Sequence, residues 1–472
     1  MKGHGVKATL DRYFHISERG STIGTELRAG TVSFFAMAYI ILLNPLILGT
    51  SPDAEGYTLG VPQVAAATAL VAGVMSIAFG AIAKYPFAMA AGLGMNTFVA
   101  VSMVATSGLT WQEAMGLVVI EGLIIVLLAV SGFRTAVFDA IPQPMKAAMG
   151  VGIGMFIAMI GFVDGGFVTR VPDAAQTTVP VGLGINGSIA TWPAVVFVIG
   201  LIVCAFMVIR NVPGGLFIAI ILNTVIAFIV QALTDSEDWG MAAPEAPDAL
   251  GGLPDLSIVG DVNLVGAFAN IGVISTVLLI FTLLLTNFFD AMGTMTGLGK
   301  QAKLVDDNGN LPGMKKALVV EGAGAVAGGL GSASSNTVFA DSSAGIADGA
   351  RTGLANIMTG LLFIAAMFFT PLYEIVPIEA AAPVLVIVGV MMAAQLTDIP
   401  WTRMEVAIPA FLTIVVMPFT YSIANGIGVG FITFALMSTF AGKAKQVHWI
   451  MWLLAGLFVI YFGIDPISEA IG

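Results

Sequence analysis

Glu121, Asp290, Glu321 and Asp341 stand in stretches of this chain where water should be scarce. Each lies in a run of apolar and small residues, and a charged side chain at the centre of a bilayer costs roughly 2.5–3.5 kcal/mol or more. Acids kept at such depth mark a substrate or ion pathway. A carboxylate there can accept hydrogen bonds from the N–H groups of a planar heterocycle, and it can exchange a proton. Asp290 has neighbours suited to this. Asn287 and Thr294 lie three and four residues from it in TNFFDAMGTMTGL, so the three side chains share one helix face. Asp341 offers the same chemistry from FADSSAGIADGARTG. Glu321, set among glycines, and Glu121, in VVIEGLII, read equally well as functional groups or as buried polar knots. Asp348 stands beside Arg351 and reads as half of a local ion pair.

Other chemistries find no footing. GTMTGLGK resembles a phosphate-binding loop, but Thr294 stands where the first glycine is required and Gln301 where Ser or Thr is required. No Ser-His-Asp order and no zinc motif appears. His4, His15 and His448 are far apart. The single cysteine, Cys204, excludes an intrachain disulfide and reads as a small core residue. The chain is therefore read as a transporter rather than an enzyme, with no cofactor and no metal. It must run on an ion gradient or on the gradient of its own substrate.

The elements that hold these acids are membrane segments. Of 472 residues, 58% are hydrophobic and only 10% charged, where a soluble domain carries about 25%. Apolar stretches of spanning length recur at 30–50, 62–83, 87–106, 114–132, 143–163, 192–209 and 214–233. A second set covers 268–297, 314–331, 335–351, 353–373, 378–396, 404–420 and 422–441. If the polar N-terminus is cytoplasmic, Lys84, Arg134, Lys146, Arg210, Lys300, Lys303, Lys315, Lys316, Arg351, Arg403, Lys443 and Lys445 all fall inside, and only Arg170 outside. That agreement supports fourteen crossings. A last apolar run, 448–464, reads as an additional membrane-associated helix. The net charge of −11 is spread over solvated loops, many of its acids lying between Asp235 and Asp261, and no nucleic-acid partner is expected.

Seven segments, a long acidic loop and seven more imply duplication. An odd-numbered unit repeated in tandem inserts in opposite orientations, the architecture of many secondary transporters. A local echo supports this: Phe87-Ala-Met-Ala-Ala-Gly92 and Phe339-Ala-Asp-Ser-Ser-Ala-Gly345 occupy equivalent segments, the third and the tenth. Both are rich in Gly, Ala, Ser and Asn, including Asn96, which weakens a continuous helix. The pattern predicts extended backbone followed by half a helix, a break tolerated at bilayer depth only inside the protein or along a cavity. Facing breaks would aim free N–H groups and helix N-termini at one shared site.

Several of these motifs, in order and spacing, resemble the xanthine/uracil permease superfamily, and its guanine/hypoxanthine/adenine branch in particular. They are TELRAGTVSFFAMAYIILLNPLIL, AAGLGMNTF, FFDAMGTMTGL, FADSSAGIADGARTGL and IPAFLTIVVMPFTYSIANGIGVGF, spread from Glu26 to about Lys445. The resemblance implies an all-α polytopic membrane protein of 7+7 inverted repeats, with short strands in segments 3 and 10. Its core domain would be residues 29–133 and 268–373, and its gate domain 134–233 and 374–442. Residues 1–28 would form a cytoplasmic lead-in, 234–267 an acidic loop outside, and 443–472 the C-terminal segment and tail. It implies a proton-coupled importer of purine nucleobases in the inner (plasma) membrane, and a homodimer. The base would sit between the strands, against Asp290, Asp341 and Asn96, with Phe87, Phe339, Asn287 and Thr294 around it; Asp290, Asp341 or Glu321 would carry the proton. The chain departs from the family pattern where Asp341 replaces the usual Glu, Ala91 a common proline, and Ser332–Asn336 a more threonine-rich run. Hypoxanthine and guanine are favoured over adenine. An inorganic-anion or dicarboxylate transporter, and a passive channel or facilitator, are the competing readings.

Overall fold

The computed structural model describes residues 3–131, 140–170, 181–185, 187–236, 239, 251–306, 311–372 and 375–463. Most of the acidic loop around 240–250 lies outside the described residues. The first half runs through helices α1 (Gly3–Phe14), α2 (Ile23–Met37), α3 (Ile40–Leu48) and α4 (Val61–Ile82). Strand β1 (Met89–Ala91) follows, then α5 (Leu93–Thr97), which continues as a wider π-type turn over Phe98–Thr106. Next come α6 (Trp111–Ser131), α7 (Gln143–Asp164), a small hairpin of β2 (Val168–Arg170) and β3 (Val181–Leu183), α8 (Trp192–Ile209) and α9 (Gly215–Thr234).

The second half repeats this plan: α10 (Gly266–Asn270), α11 (Val273–Gln301), α12 (Met314–Leu330), β4 (Asn336–Val338), α13 (Ser342–Ala347) and α14 (Gly353–Ala366). It ends with α15 (Ile378–Ala393), α16 (Met404–Phe419), α17 (Ile423–Phe440) and α18 (Trp449–Phe462). Among the described residues, nine helices have the length and hydropathy of membrane spans. Every apolar stretch read from the sequence coincides with one or more of these elements.

Packing carries the signature of an inverted repeat. Exchanging the halves maps α4 onto α12 and α6 onto α14, and both α6–α12 and α4–α14 are extensive interfaces. The same exchange maps the α2–α14 contact onto α11–α6, and α8–α15 onto α7–α16; all four are present. Elements lying on the symmetry axis must meet their own mates. Accordingly α7 packs on α15, and β1 pairs with β4. The strand pair is antiparallel, as a two-fold requires, with Met89 opposite Val338, Ala90 opposite Thr337 and Ala91 opposite Asn336.

Small residues allow this closeness, because helices in lipid associate by backbone approach and packing rather than by expelling water. A methyl group on Gly80 would overlap the Gly353 carbonyl, and one on Gly353 the Gly80 carbonyl. At the axis, a methyl on Gly389 would stand 2.5 Å from the Gly154 carbonyl oxygen.

Non-helical backbone in the bilayer needs every polar group satisfied. The Ser76 hydroxyl accepts from Met89 N at 2.9 Å and serves the Met89 carbonyl at 3.1 Å. Asn356 Nδ2 donates to the carbonyls of Phe87 (2.6 Å) and Ser76 (3.0 Å). Asn44 Nδ2 donates to the Ala333 carbonyl at 3.1 Å, and Ser342 Oγ accepts from Ala88 N at 2.9 Å. The chain reaches β4 through Ser332 and Ser334, at φ +52° and +65°, a conformation L-residues adopt rarely. Buried Glu26 accepts from the backbone N–H groups of Arg351 (2.9 Å) and Thr352 (3.1 Å), tying α2 to the start of α14.

The ion pair expected between Asp348 and Arg351 takes another form. Asp348 pairs with Arg28 at 2.8 Å. Arg351 instead donates to the carbonyls of Ile346 and Ala350, at the C-terminal end of α13. Unpaired carbonyls at a helix end attract a cation.

Candidate functional site

The two strand-to-helix breaks bound a cavity of about 520 Å³. Gly92, Leu93 and Gly94, where β1 gives way to α5, form one part of its wall. Val338, Phe339, Ala340 and Asp341, where β4 gives way to α13, form a second. Thr286, Asp290 and Thr294 line it from α11, four residues apart each time and therefore on one face. Across the cavity stand α7, through Gly150, Ile153 and Ile157, and α15, through Val388 and Met392. Gln143, Lys146, Gln395 and Asp398 complete the lining near the α6–α7 and α15–α16 connections. The site is thus an apolar slot with a few convergent polar groups, the usual form of a small-molecule site.

Of the side chains singled out in the sequence, Asp290, Asp341, Phe339 and Thr294 meet at this cavity. Glu321 does not line it, yet lies within electrostatic reach of Asp290. Asn287 shares a helix with Asp290 but turns away from the cavity. Its Nδ2 donates to Glu121 Oε1 at 2.7 Å and to Ser335 Oγ at 2.9 Å. Phe87 is fully buried behind β1, stacked on Tyr85 with ring centroids 5.1 Å apart. Asn96 is also fully buried, next to cavity-lining Met95, and neither its Oδ1 nor its Nδ2 has a hydrogen-bond partner among the described residues.

Several lining residues were not anticipated, among them Gln143, Gln395, Asp398 and Tyr39. Tyr39 lines the cavity from the break between α2 and α3, and its hydroxyl donates to Asp341 Oδ2 at 3.0 Å. Its ring centroid is 6.1 Å from that of Phe339. Two aromatic faces beside two carboxylates suit a flat, N–H-bearing ligand: rings pack on rings, and carboxylates accept hydrogen bonds at the ligand edge. The signal in the sequence was a lone tyrosine inside the apolar run AMAYIILLNP, since a buried tyrosine hydroxyl needs a partner.

The family model Xan_ur_permease, described as a permease family, matches residues 24–429. The chain is 37% identical to guanine/hypoxanthine permease PbuG of Bacillus subtilis, an alignment covering 96% of this chain and 99% of that protein. It is 32% identical to adenine permease AdeQ of Escherichia coli, covering 96% of each. Among solved structures, the transmembrane domain of the cyanobacterium bicarbonate transporter BicA superposes with a TM-score of 0.64 at 15% identity, over 85% of this chain and 97% of that one. SLC26A9 gives 0.59 at 12% identity, over 89% of this chain and 66% of that one. The structural likenesses establish the inverted-repeat fold, and the sequence relatives place the chain within it: the protein belongs to the xanthine/uracil permease family, on the branch of the guanine/hypoxanthine and adenine permeases.

Proposed function

We propose that the protein imports purine nucleobases, with hypoxanthine and guanine preferred to adenine, by proton symport across the inner (plasma) membrane, its N-terminus cytoplasmic. The carrying observation is the convergence of Asp290 and Asp341 on one cavity, beside the rings of Tyr39 and Phe339. Purines present flat faces and edge N–H groups, which those rings and carboxylates complement. Asp290 and Asp341 hold the base. Either of them, or Glu321 behind Asp290, exchanges a proton with the cavity. Asn96, buried with its amide unsatisfied, completes the site when Leu93–Met95 shift around the ligand.

The cavity also divides the protein into two moving parts. Residues 29–133 and 268–373 form the core that carries the acids, and 134–233 with 374–442 form the gate that supplies α7 and α15. Alternating access is motion of one against the other, with the base held between them, and a homodimer keeps the gates fixed.

Uptake of radiolabelled hypoxanthine, guanine and adenine into proteoliposomes under an imposed pH gradient tests this reading. Accumulation of a purine that collapses with the gradient is expected. No uptake of any purine by folded protein sinks the proposal, and uptake that follows only the purine gradient makes the protein a facilitator. Full transport by both Asp290→Asn and Asp341→Asn would refute the site. A second reading, an inorganic-anion or dicarboxylate transporter, draws on Lys146 in the cavity wall. Two carboxylates facing the same space oppose an anion there, and competition by bicarbonate or dicarboxylates in the same assay decides between the two.

A further inference from the structure

Behind the cavity lies a second polar centre that substrate binding does not use. Glu121 on α6, Asn287 on α11 and Ser335 just before β4 are all fully buried. Their side chains close a ring of hydrogen bonds. Asn287 Nδ2 donates to Glu121 Oε1 (2.7 Å) and to Ser335 Oγ (2.9 Å), and Ser335 Oγ donates to Glu121 Oε2 (3.2 Å). The ring ties two elements that line the cavity by other residues, α11 through Asp290 and the β4–α13 break through Asp341, to α6, which packs on both α11 and α12 without lining the cavity.

The ring's chemistry is reversible. With Glu121 anionic, both neighbours donate to it, as observed. A protonated Glu121 needs one acceptor, and each neighbour can supply it, because an amide and a hydroxyl both donate and accept. Asn287 Oδ1 is buried and has no hydrogen-bond partner among the described residues. A half-turn of the amide gives up the two bonds of Nδ2 to Glu121 and Ser335 and none of Oδ1, and in their place Oδ1 accepts from an O–H on Glu121 Oε1 and from the Ser335 hydroxyl, with Nδ2 standing where Oδ1 had been. The titratable groups on the elements packed against Glu121 are Glu321 on α12 and Asp290 on α11, with Lys300 in the last turn of α11, more than three turns beyond Asn287. Lys315 and Lys316 stand at the far N-terminal turn of α12, and Glu113 lies more than two turns away on α6 itself. Gly122 meets Val326 and Gly322 meets Val126, so Glu121 and Glu321 share one interface, offset along it.

We propose that Glu121 is a proton-binding site of the transport cycle, with the Asn287 amide as the partner that reverses when the proton arrives. The proton enters at Asp290 from cavity water and forms the O–H bond on Glu121. It leaves by the same route after the gate has moved, which returns Glu121 to its anionic form. The ring then reports the proton to Ser335 and β4, which hold the substrate-facing Asp341. The inference rests on the purine-symport reading above.

Proteoliposomes separate the two. In Glu121→Gln, a neutral isostere of the protonated acid, purine counterflow is expected to continue while the pH-driven accumulation ratio falls to one. Accumulation by this variant equal to that of the unmodified protein overturns the role of Glu121 and leaves purine symport standing. Absence of pH-driven accumulation in the unmodified protein refutes the symport reading itself. Should Glu121→Gln fail to fold, Glu121→Asp carries the test: it keeps a titratable group, and a shifted pH midpoint of uptake is expected. An unshifted midpoint overturns the proposal.

Discussion

The Tyr39 hydroxyl donates to Asp341 across 302 residues of sequence, joining the break in the first membrane segment to the break in the tenth. The bond fixes one carboxylate oxygen of Asp341. It also sets the Tyr39 ring beside Phe339.

Tyr39→Phe keeps the ring and removes this bond. A hydrogen bond to a charged group is worth about 1.5–3 kcal/mol, or roughly tenfold or more in affinity. The melting temperature should fall, because the bond is made in the folded protein without ligand, and purine affinity, read by competition against labelled hypoxanthine, should fall by up to about that factor as Asp341 loses its fixed position. An unchanged affinity would show that the pair is not used in binding.

Asp341→Glu keeps the charge and moves it outward by one methylene. The carboxylate then reaches further into a slot whose opposite wall, α7 and α15, is unchanged. The ranking of hypoxanthine, guanine and adenine in competition should change, with transport retained. An identical ranking would mean that Asp341 does not meet the substrate edge.

Gly353→Ala places a methyl group against the Gly80 carbonyl, where backbone must yield. Overpacking of this kind costs about 1–3 kcal/mol, so a lower melting temperature in detergent is expected. Gly456→Ala, where nothing stands within 4 Å, is the control and should melt at or above the unmodified temperature.

The N-terminal helix should respond to acid. Ser17 donates to Asp11 from its backbone N (2.7 Å) and its hydroxyl (2.8 Å). These bonds hold the exposed Asp11 carboxyl below its ordinary value of 3.8. A depressed folded-state pKa contributes stability above the unfolded value that is lost as pH falls through the folded one. Protection from hydrogen exchange over residues 3–21, measured against the intrinsic rate at each pH, should therefore fall below about pH 4. Asp11→Asn should show that lower protection already at neutral pH; equal protection in both proteins would rule out the contact as an anchor.

Much of this was legible in one dimension. Bilayer thickness fixes segment length, so hydropathy alone located the helices. The cost of a buried charge singled out Asp290, Glu321 and Asp341, and the Gly-, Ala- and Ser-rich composition of the third and tenth segments marked both breaks. The i, i+4 rule placed Asp290 and Thr294 on one face correctly. It could not say that Asn287, on the neighbouring edge of that helix, faces Glu121 instead of the cavity, because the direction of a shared face depends on which helix lies against each edge.

What the sequence determined by itself was the membrane class and the inverted duplication, since both follow from the lengths and order of apolar segments against a solvent of known thickness. Which side chains meet was decided only by the tertiary structure. Tyr39 reaches Asp341, Asn287 and Ser335 close on Glu121, and Phe87 withdraws behind β1, because these contacts come from the crossing of α3, α6 and α11 around the paired strands. Partners 166 to 302 positions apart leave no periodic trace in the chain; only the fold brings them within hydrogen-bond distance.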